Sequence, residues 1–309
     1  MRCINKSERG YCRVIEKSLP KFALVCARTL IETENNHTYT LENRVIMPLA
    51  KLGDININYK VEGEGDPLVL IMGFSSPMIG WYYQTPYFRR YYRVVTLDNR
   101  GVGKSSKPQG PYSTRMMADD TVHLMDHLGI ERVNIIGASM GGMIAQELAI
   151  NYPERVTKLV LACTYACQDE TSGSSPEMAE LALLPPEKMA AAMIGLAFNK
   201  PLYRFTFGLL SRVGSMFPSV LDTVGIDGQR VACANHNTLE RLHLITASTQ
   251  VIVGTGDRLI MPVSSEVIAS KIPASKLVKV ESGSHTFMVE KRDDFNREVL
   301  NFLTNARTS

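Results

Sequence analysis

The pentapeptide Gly137-Ala138-Ser139-Met140-Gly141 carries the clearest chemical signal in the chain. A serine on a sharp turn between a strand and a helix can attack an acyl carbonyl once a base removes its proton. The turn is so tight that a side chain two residues from Ser139 would collide with its neighbours, which explains both glycines. We expect a backbone strain of roughly 1–3 kcal/mol at the serine, which exposes its hydroxyl. The pattern indicates a nucleophile, with a helix N-terminus behind it to stabilise an oxyanion.

The segments around this motif have the patterns that such a turn needs. Val133 to Ile136 is an apolar run typical of a buried strand, and Met140 to Tyr152 has the apolar spacing of a helix. A glycine-rich turn that only packs a helix against a strand is the competing interpretation. The flanking strand and helix favour the catalytic one.

Strands and helices alternate from Gly53 onward. Ile55 to Val61 alternates with polar residues as in an edge strand, whereas Leu68 to Met72 is continuously apolar, as in a strand buried on both faces. Further strands are predicted at Arg93 to Leu97, Lys158 to Ala162, Thr249 to Val253 and Leu277 to Val280, and further helices at Thr114 to His127, Val263 to Ile272 and Asp293 to Thr304. This order predicts an α/β fold with a mostly parallel central sheet and helices on both faces.

One stretch interrupts the alternation. Between Ala166 and His236 no strand-like run occurs, and prolines divide the helical pattern into short segments. Insertions at the carboxyl ends of parallel strands lie where ligands bind, so we expect a helical cap over a pocket. We predict a core of residues 47–165 and 237–309 and a cap of residues 166–236. Apolar cap residues either line an adaptable pocket or only pack the helices: Met178, Met189, Met193, Met216, Phe198, Phe205, Phe207 and Phe217.

From Gly53 to Phe302 the chain resembles the α/β-hydrolase family. Besides the serine turn, Leu70 to Phe74 resembles the family's strand and oxyanion loop, and Asp98 to Ser105 resembles its Asp-x-Arg-Gly-x-Gly-x-Ser turn, a structural brace. Met72 stands where the family commonly has histidine. The resemblance therefore implies an α/β-hydrolase fold with an inserted helical cap.

The resemblance also implies which backbone groups hold the oxyanion. They are the N–H groups of Phe74, in the loop after the strand, and of Met140, next to the nucleophile. Because the donor at Phe74 is a backbone group, the methionine at position 72 leaves it in place.

The family order of serine, acid and histidine implies a base and an acid. Of the six histidines, His285 alone follows a late strand, on a polar loop, and we predict that it is the base. A histidine satisfied on a surface loop is the alternative. Asp257 follows the penultimate strand, which matches the family's acid position, although an aspartate there can also cap a helix. Asp169 and Glu170, after the preceding strand, are the second candidates for the acid.

The predicted triad of Ser139, Asp257 and His285 indicates a serine hydrolase of a carboxylic ester or related acyl bond, working through an acyl-enzyme, with a small apolar substrate favoured. Dehalogenases and epoxide hydrolases of this fold use an aspartate nucleophile, against which the serine argues. Carbon–carbon bond hydrolases, enol-lactonases and cofactor-free perhydrolases share the triad. A ligand-sensing receptor with little turnover is the alternative of another class.

Composition restricts the partners. The net charge is +3, from 34 basic and 31 acidic residues, and the excess lies in residues 1–46, so the neutral body is not expected to bind nucleic acid. No run of eighteen apolar residues occurs, so we expect no membrane partner. The six cysteines lack Cys-x-x-Cys spacing, and no motif implies a metal or organic cofactor. We expect a small-molecule substrate; nothing in the sequence indicates an oligomeric state.

Residues 1–46 show no sustained helical or alternating pattern. We expect this extension to be disordered, or to be upstream sequence read in frame before Met47. An organellar transit peptide is a minor alternative, because the first part of the extension is basic. Since a convincing secretory cleavage site is lacking, we expect the protein in the cytoplasm.

Overall fold

A computed structural model describes residues 48–169, 172–181, 183–215 and 223–305 of the 309-residue chain. The expectations for residues 1–46, for Glu170 and for the cap residues Met216 and Phe217 lie outside these ranges. Within them, no helix has both the length and the apolar character needed to cross a membrane.

In the described part of the chain, eight strands form a single sheet in the order β1-β2-β4-β3-β5-β6-β7-β8. They are β1 (Leu49–Leu52), β2 (Ile55–Glu62), β3 (Pro67–Ile71), β4 (Arg93–Leu97), β5 (Val133–Ala138), β6 (Val156–Ala162), β7 (Ser248–Gly254) and β8 (Ser275–Val280). Strands β3 to β8 run parallel to one another, whereas β2 is antiparallel to both of its neighbours, β1 and β4. The predicted mostly parallel sheet is therefore confirmed.

The prediction that residues 55–61 form an edge strand is wrong. The four-residue strand β1 pairs outside β2, with Leu52 opposite Ile55, so β2 is the second strand of the sheet. The alternation in β2 has a different cause, because the strand buries Ile55 and Ile57 in the core while Asn56 between them is exposed. A strand as short as β1 carries too few residues for a pattern to be recognised.

Helices cover both faces of the sheet in the described ranges. They are α1 (Thr85–Phe88), α2 (Thr114–His127), α3 (Met140–Asn151), α4 (Pro176–Leu181), α5 (Pro186–Ala197), α6 (Pro201–Ser215), α7 (Thr223–Ala234), α8 (Val263–Lys271), α9 (Phe287–Glu290) and α10 (Arg292–Thr304). Helices α2, α3 and α8 contribute to one buried cluster, and α1, α9 and α10 to the other. Strand β3 supplies both, because Val69 and Ile71 face the first cluster and Leu68 and Leu70 the second. This explains its continuous apolar run.

Helices α4 to α7, here called the cap helices, all lie between β6 and β7. Pro176, Pro186 and Pro201 are the first residues of α4, α5 and α6. Proline fits the first helical position, where a missing N–H costs no hydrogen bond. The prolines that divide the sequence pattern therefore begin helices. The proposed boundaries of the cap at residues 166 and 236 stay a prediction.

Candidate active site

Ser139 lies at the turn between β5 and α3. Its backbone has φ 56° and ψ −123°, a positive-φ conformation that is rare for a residue with a side chain and costs about 1–3 kcal/mol. Two hydrogen bonds hold the turn. The Ser139 N–H donates to the Ala162 carbonyl at 2.9 Å, and the Thr164 hydroxyl donates to the Ser139 carbonyl at 2.8 Å. The end of β6 therefore fixes the strained serine.

The two glycines of the motif are required by close backbone contacts. A Cβ on Gly137 would collide with the carbonyl of Gly141 across the turn. A Cβ on Gly141 would collide with the carbonyl of Ile71, at the end of β3. The second contact brings the start of α3 against the strand that leads into the loop of Phe74.

His285 and Asp257 lie in the loops that follow β8 and β7, and they are hydrogen bonded. The distance from His285 Nδ1 to Asp257 Oδ2 is 2.8 Å, and the carboxylate is fully buried. Since an ionised carboxylate only accepts hydrogen bonds, Nδ1 carries the proton and Nε2 is left with a lone pair. This arrangement allows Nε2 to accept a proton from a hydroxyl.

The acid is itself held by backbone groups. Asp257 Oδ1 accepts hydrogen bonds from the N–H groups of Leu259 at 2.8 Å and Ile260 at 3.0 Å. The strand end, the turn after it and the imidazole thus all restrict the carboxylate.

The second candidate acid lies elsewhere. Asp169 accepts hydrogen bonds from the Ser172 N–H at 2.7 Å and from the Cys167 thiol at 3.1 Å. It therefore organises the loop after β6, and the structure brings Asp257 rather than Asp169 to His285.

The predicted oxyanion donors lie beside Ser139. In the residues that the structure describes, neither the N–H of Phe74 nor that of Met140 has a hydrogen-bond acceptor. A Cβ on Gly73 would lie 3.0 Å from Ser139 Cβ, so the loop passes very close to the nucleophile. Two such N–H groups next to the serine can bind a negatively charged oxygen.

Two adjoining cavities, here called the first and second chambers, meet at Ser139 and His285. Their volumes are about 330 and 270 Å³. Both are lined by Phe74, Ser139, Met189, Met193, Leu259 and His285. Both chambers are mostly apolar: Ile194 and Val289 line the first, together with the polar residues Ser75 and Thr286, and Tyr165 and Gln168 add polar groups to the second. A bound carbonyl at Ser139 would have space on both sides.

The apolar cap residues divide into three groups. Five line the chambers: Met178, Met189, Met193, Phe198 and Phe207. Phe198 and Phe207 stack with ring centroids 4.6 Å apart, which forms one wall of the first chamber. Phe205 is 70% exposed and lines neither chamber. Met216 and Phe217 lie outside the described residues.

The turn that resembles the family's brace makes structural contacts. Buried Asp98 accepts hydrogen bonds from Asn58 Nδ2 at 2.6 Å and from the Met78 N–H at 2.7 Å. Arg100 forms a two-pronged ion pair with Asp120, with N–O distances of 2.6 Å. Neither Asp98 nor Arg100 lines a chamber. These contacts agree with a bracing role.

Cys163, which the sequence suggests is a buried thiol at the end of a strand, is buried just after β6 and lies against the acid and the base. Its Sγ, an Asp257 oxygen and a His285 nitrogen lie within 4.8 Å of one another, the spacing of a metal-ligand set. Burial raises the pKa of the Cys163 thiol well above its ordinary value, and the nearby charge of Asp257 adds to this effect. A protonated thiol beside an Asp–His pair that is already hydrogen bonded is a poor metal site. Only the fold brings these residues together.

Comparisons with known proteins agree with this fold. The family model described as the alpha/beta hydrolase fold matches residues 66–207. A poly(3-hydroxyalkanoate) depolymerase of Ectopseudomonas oleovorans is 30% identical over 217 residues, which cover 69% of this chain and 76% of that protein. A 3-oxoadipate enol-lactonase 2 of Acinetobacter baylyi is 29% identical over 261 residues, 80% of this chain and 92% of its own. A solved structure of a hydrolase from Pseudomonas aeruginosa PA01 has a TM-score of 0.75 and 27% identity, and the match covers 85% of this chain and 100% of that one.

The chain belongs to the α/β-hydrolase family, as its sequence features suggest. The family assignment supports hydrolase activity on a small molecule.

Proposed function

We propose that this protein hydrolyses a carboxylic ester with Ser139 as the nucleophile. Ser139 Oγ attacks the ester carbonyl while His285 Nε2 takes its proton, and the N–H groups of Phe74 and Met140 donate to the resulting oxyanion. As the intermediate collapses, the leaving alcohol takes the proton from His285. A water molecule, deprotonated by His285, then attacks the acyl-enzyme, which releases a carboxylic acid and restores the serine.

The observation that carries this proposal is the 2.8 Å hydrogen bond between His285 and Asp257 beside the strained serine. The carboxylate fixes the tautomer in which Nε2 can act as a base, and it stabilises the imidazolium that forms. An exposed serine without this pair would be a poor nucleophile. The pairing favours acyl transfer over a purely structural turn.

The two chambers support a small, largely apolar ester as the substrate. An ester has a substituent on each side of the bond that breaks, and the chambers offer space on both sides of Ser139. Their apolar walls favour alkyl or aryl groups, because removing such groups from water is favourable. The similarity to an enol-lactonase also supports an ester-like bond, since a lactone is a cyclic ester.

The test combines a fluorophosphonate probe with a panel of p-nitrophenyl esters and simple lactones. We expect wild-type protein to be labelled and to turn over apolar esters. Ser139→Ala should lose the label and reduce turnover by about four to six orders of magnitude.

Ser282→Ala is the matched control, because Ser282 is also a serine with a positive φ, of 53°, and lines neither chamber. This variant should keep both labelling and turnover. Labelling that survives Ser139→Ala would contradict the nucleophile assignment. Labelling with no turnover of any ester or lactone would instead indicate a ligand-sensing protein or another reaction on the same triad, such as carbon–carbon bond hydrolysis.

A further inference from the structure

The loop that carries Phe74 contains a residue with a strained backbone, as the nucleophile turn does at Ser139. Ser75, the next residue, has φ 53°, a left-handed conformation that is unfavourable for a residue with a side chain. Such a conformation persists where the surrounding structure enforces it. The contacts of Ser75 therefore affect the backbone beside the Phe74 N–H.

The Ser75 N–H donates a hydrogen bond of 2.8 Å to Gln229 Oε1. Gln229 lies in α7, a cap helix, 154 residues further along the chain. Its other end is also occupied, since Nε2 donates to the Arg100 carbonyl at 2.8 Å. One partner requires an acceptor and the other a donor, so together they fix the orientation of the amide.

Because Gln229 is buried, losing either of these two hydrogen bonds would be energetically costly. Gln229 has no exposed surface, so the loss of either partner would leave a polar group without water to replace it. A glutamine in a helix is ordinarily exposed, and its position here between two core loops calls for a specific role.

Helix α7 can pack closely against these loops because the residues at the point of contact are glycines. A Cβ on Gly225 would collide with the backbone of Gly101, and a Cβ on Gly228 would lie 2.6 Å from the ring of Tyr112. Gly228 and Gln229 follow Gly225 by three and four residues, so both lie next to it on one face of the helix. Backbone contact at the glycines brings Gln229 close enough to hold Ser75.

We propose that Gln229 is a positioning residue, through which cap helix α7 holds the oxyanion loop in its catalytic conformation. The inference rests on the proposed function of Ser139. Without Gln229, the Phe74–Ser75 peptide loses the hydrogen bond of its N–H, and Ser75 can relax from its positive φ. The backbone at Phe74 then shifts, which displaces the Phe74 N–H from the oxyanion. The cap thus contributes to the chemical step as well as to the walls of the chambers.

This role predicts a specific kinetic effect. A donor to the oxyanion acts mainly in the transition state, so its displacement lowers kcat and leaves KM nearly unchanged. We expect Gln229→Met, which keeps the size of the side chain but removes both hydrogen bonds, to lower kcat about 10- to 100-fold with KM within about threefold. The rate constant for labelling of Ser139 by the phosphonate should fall by a similar factor.

Gln250→Met is the matched control. Gln250 is buried in β7, its Oε1 has no hydrogen-bond partner among the described residues, and it lies towards the start of the strand, away from Ser139. This variant also removes a buried amide and should keep the kcat of the wild type. A fall in kcat of the same size in both variants would mean a general effect of lost packing, and it would overturn the proposal.

Gln229→Glu separates positioning from packing by its pH profile. The ionised carboxylate can accept from Ser75 but faces the Arg100 carbonyl without a proton to donate, whereas the protonated carboxyl group can serve both partners. The ratio of its kcat to that of the wild type should therefore rise as the pH falls. A ratio that stays constant with pH, at the value of Gln229→Met, would overturn the proposal.

The outcomes also distinguish this inference from the proposed function. If the wild type is labelled and active and Gln229→Met has the same kcat, the positioning role fails while the triad stands. If the wild type is neither labelled nor active, the proposed function fails, and the inference about Gln229 fails with it.

Discussion

His285 Nδ1 lies 2.8 Å from Asp257 Oδ2, and the other oxygen of this carboxylate accepts hydrogen bonds from two backbone N–H groups. Both oxygens are therefore occupied, and the carboxylate cannot rotate without losing contacts. Asp257 thus orients the imidazole from a fixed position, which is what a base acting on Ser139 requires.

Asp257→Asn should lower kcat for ester hydrolysis by about three to four orders of magnitude, because an amide can stabilise the wrong tautomer of His285. Steady-state kinetics on the most active ester of the panel measures this. Asp169→Asn is the matched control, and its kcat should stay within about twofold of the wild type, since the hydrogen bonds that Asp169 accepts from Ser172 and Cys167 hold the loop after β6. A larger loss of kcat in Asp169→Asn than in Asp257→Asn would assign the acid to the loop after β6.

Gly141→Ala should destabilise the protein by at least about 2 kcal/mol, because the new Cβ would collide with the Ile71 carbonyl at the end of β3. The phosphonate should also label this variant more slowly, since the turn cannot keep its geometry. Gly195→Ala is the control, because a Cβ on this exposed glycine of α5 would contact none of the residues that the structure describes. It should stabilise the protein by about 0.5–1 kcal/mol. Urea unfolding measures both changes, and equal stability of the two variants would contradict the assigned contact.

If each chamber holds one side of the ester, narrowing one chamber should exclude long groups on the acyl side and narrowing the other should exclude long groups on the alkoxy side. Ile194 lines only the first chamber and Ala179 only the second. Ile194→Trp and Ala179→Trp should each lower kcat/KM about tenfold or more for esters with a long substituent on one side of the carbonyl, and the two variants should affect opposite sides. Esters lengthened on either the acyl or the alkoxy side test this. Both variants restricting the same side would mean that only one chamber receives substrate.

Much of the fold is predictable because its signals are local. Helix α2 has the predicted bounds, and its start is fixed by the side chain of Ser113, which accepts a hydrogen bond from the Met116 N–H. Strand β4 also has the predicted bounds. The serine turn is equally local, since the steric conflicts that require glycine occur within a few residues and along β3. In each case the contacts that determine the structure require particular residue types nearby in the sequence, and these can be recognised.

The remaining features depend on contacts between distant segments. Strand β1 is too short to show a period, and its pairing alone moves β2 from the edge of the sheet. In the sequence, Gln229 is an ordinary polar residue of a helix. Its two buried hydrogen bonds depend on the packing of α7 against the core. Phe205 is apolar, as residues that line pockets often are, yet its position on α6 leaves it exposed to solvent. Residue type alone therefore identifies neither the positioning residue nor the walls of the chambers.

His236 predicts a dependence of stability on pH. It follows cap helix α7, is buried, and pairs through Nδ1 with the Thr114 hydroxyl at 2.9 Å, which joins the end of the cap to α2. Burial lowers the pKa of His236 from its ordinary value of 6.5 to about 4; the charge of Glu147 raises it and that of Arg241 lowers it by smaller amounts. The neutral imidazole is thus the form that the folded protein accepts.

The sign follows from which state binds the proton. Between pH 6.5 and about 4 the unfolded chain protonates His236 and the folded protein does not, so stability is complete above pH 6.5 and decreases as the pH falls through this window. The total loss should be about 3 kcal/mol in the free energy of unfolding. Urea unfolding of wild type and His236→Gln at several pH values measures it, and the difference between the two curves removes the contribution of the carboxylates. Because the variant cannot titrate at this position, its curve should be flatter, and parallel curves would show that His236 titrates normally in the folded state.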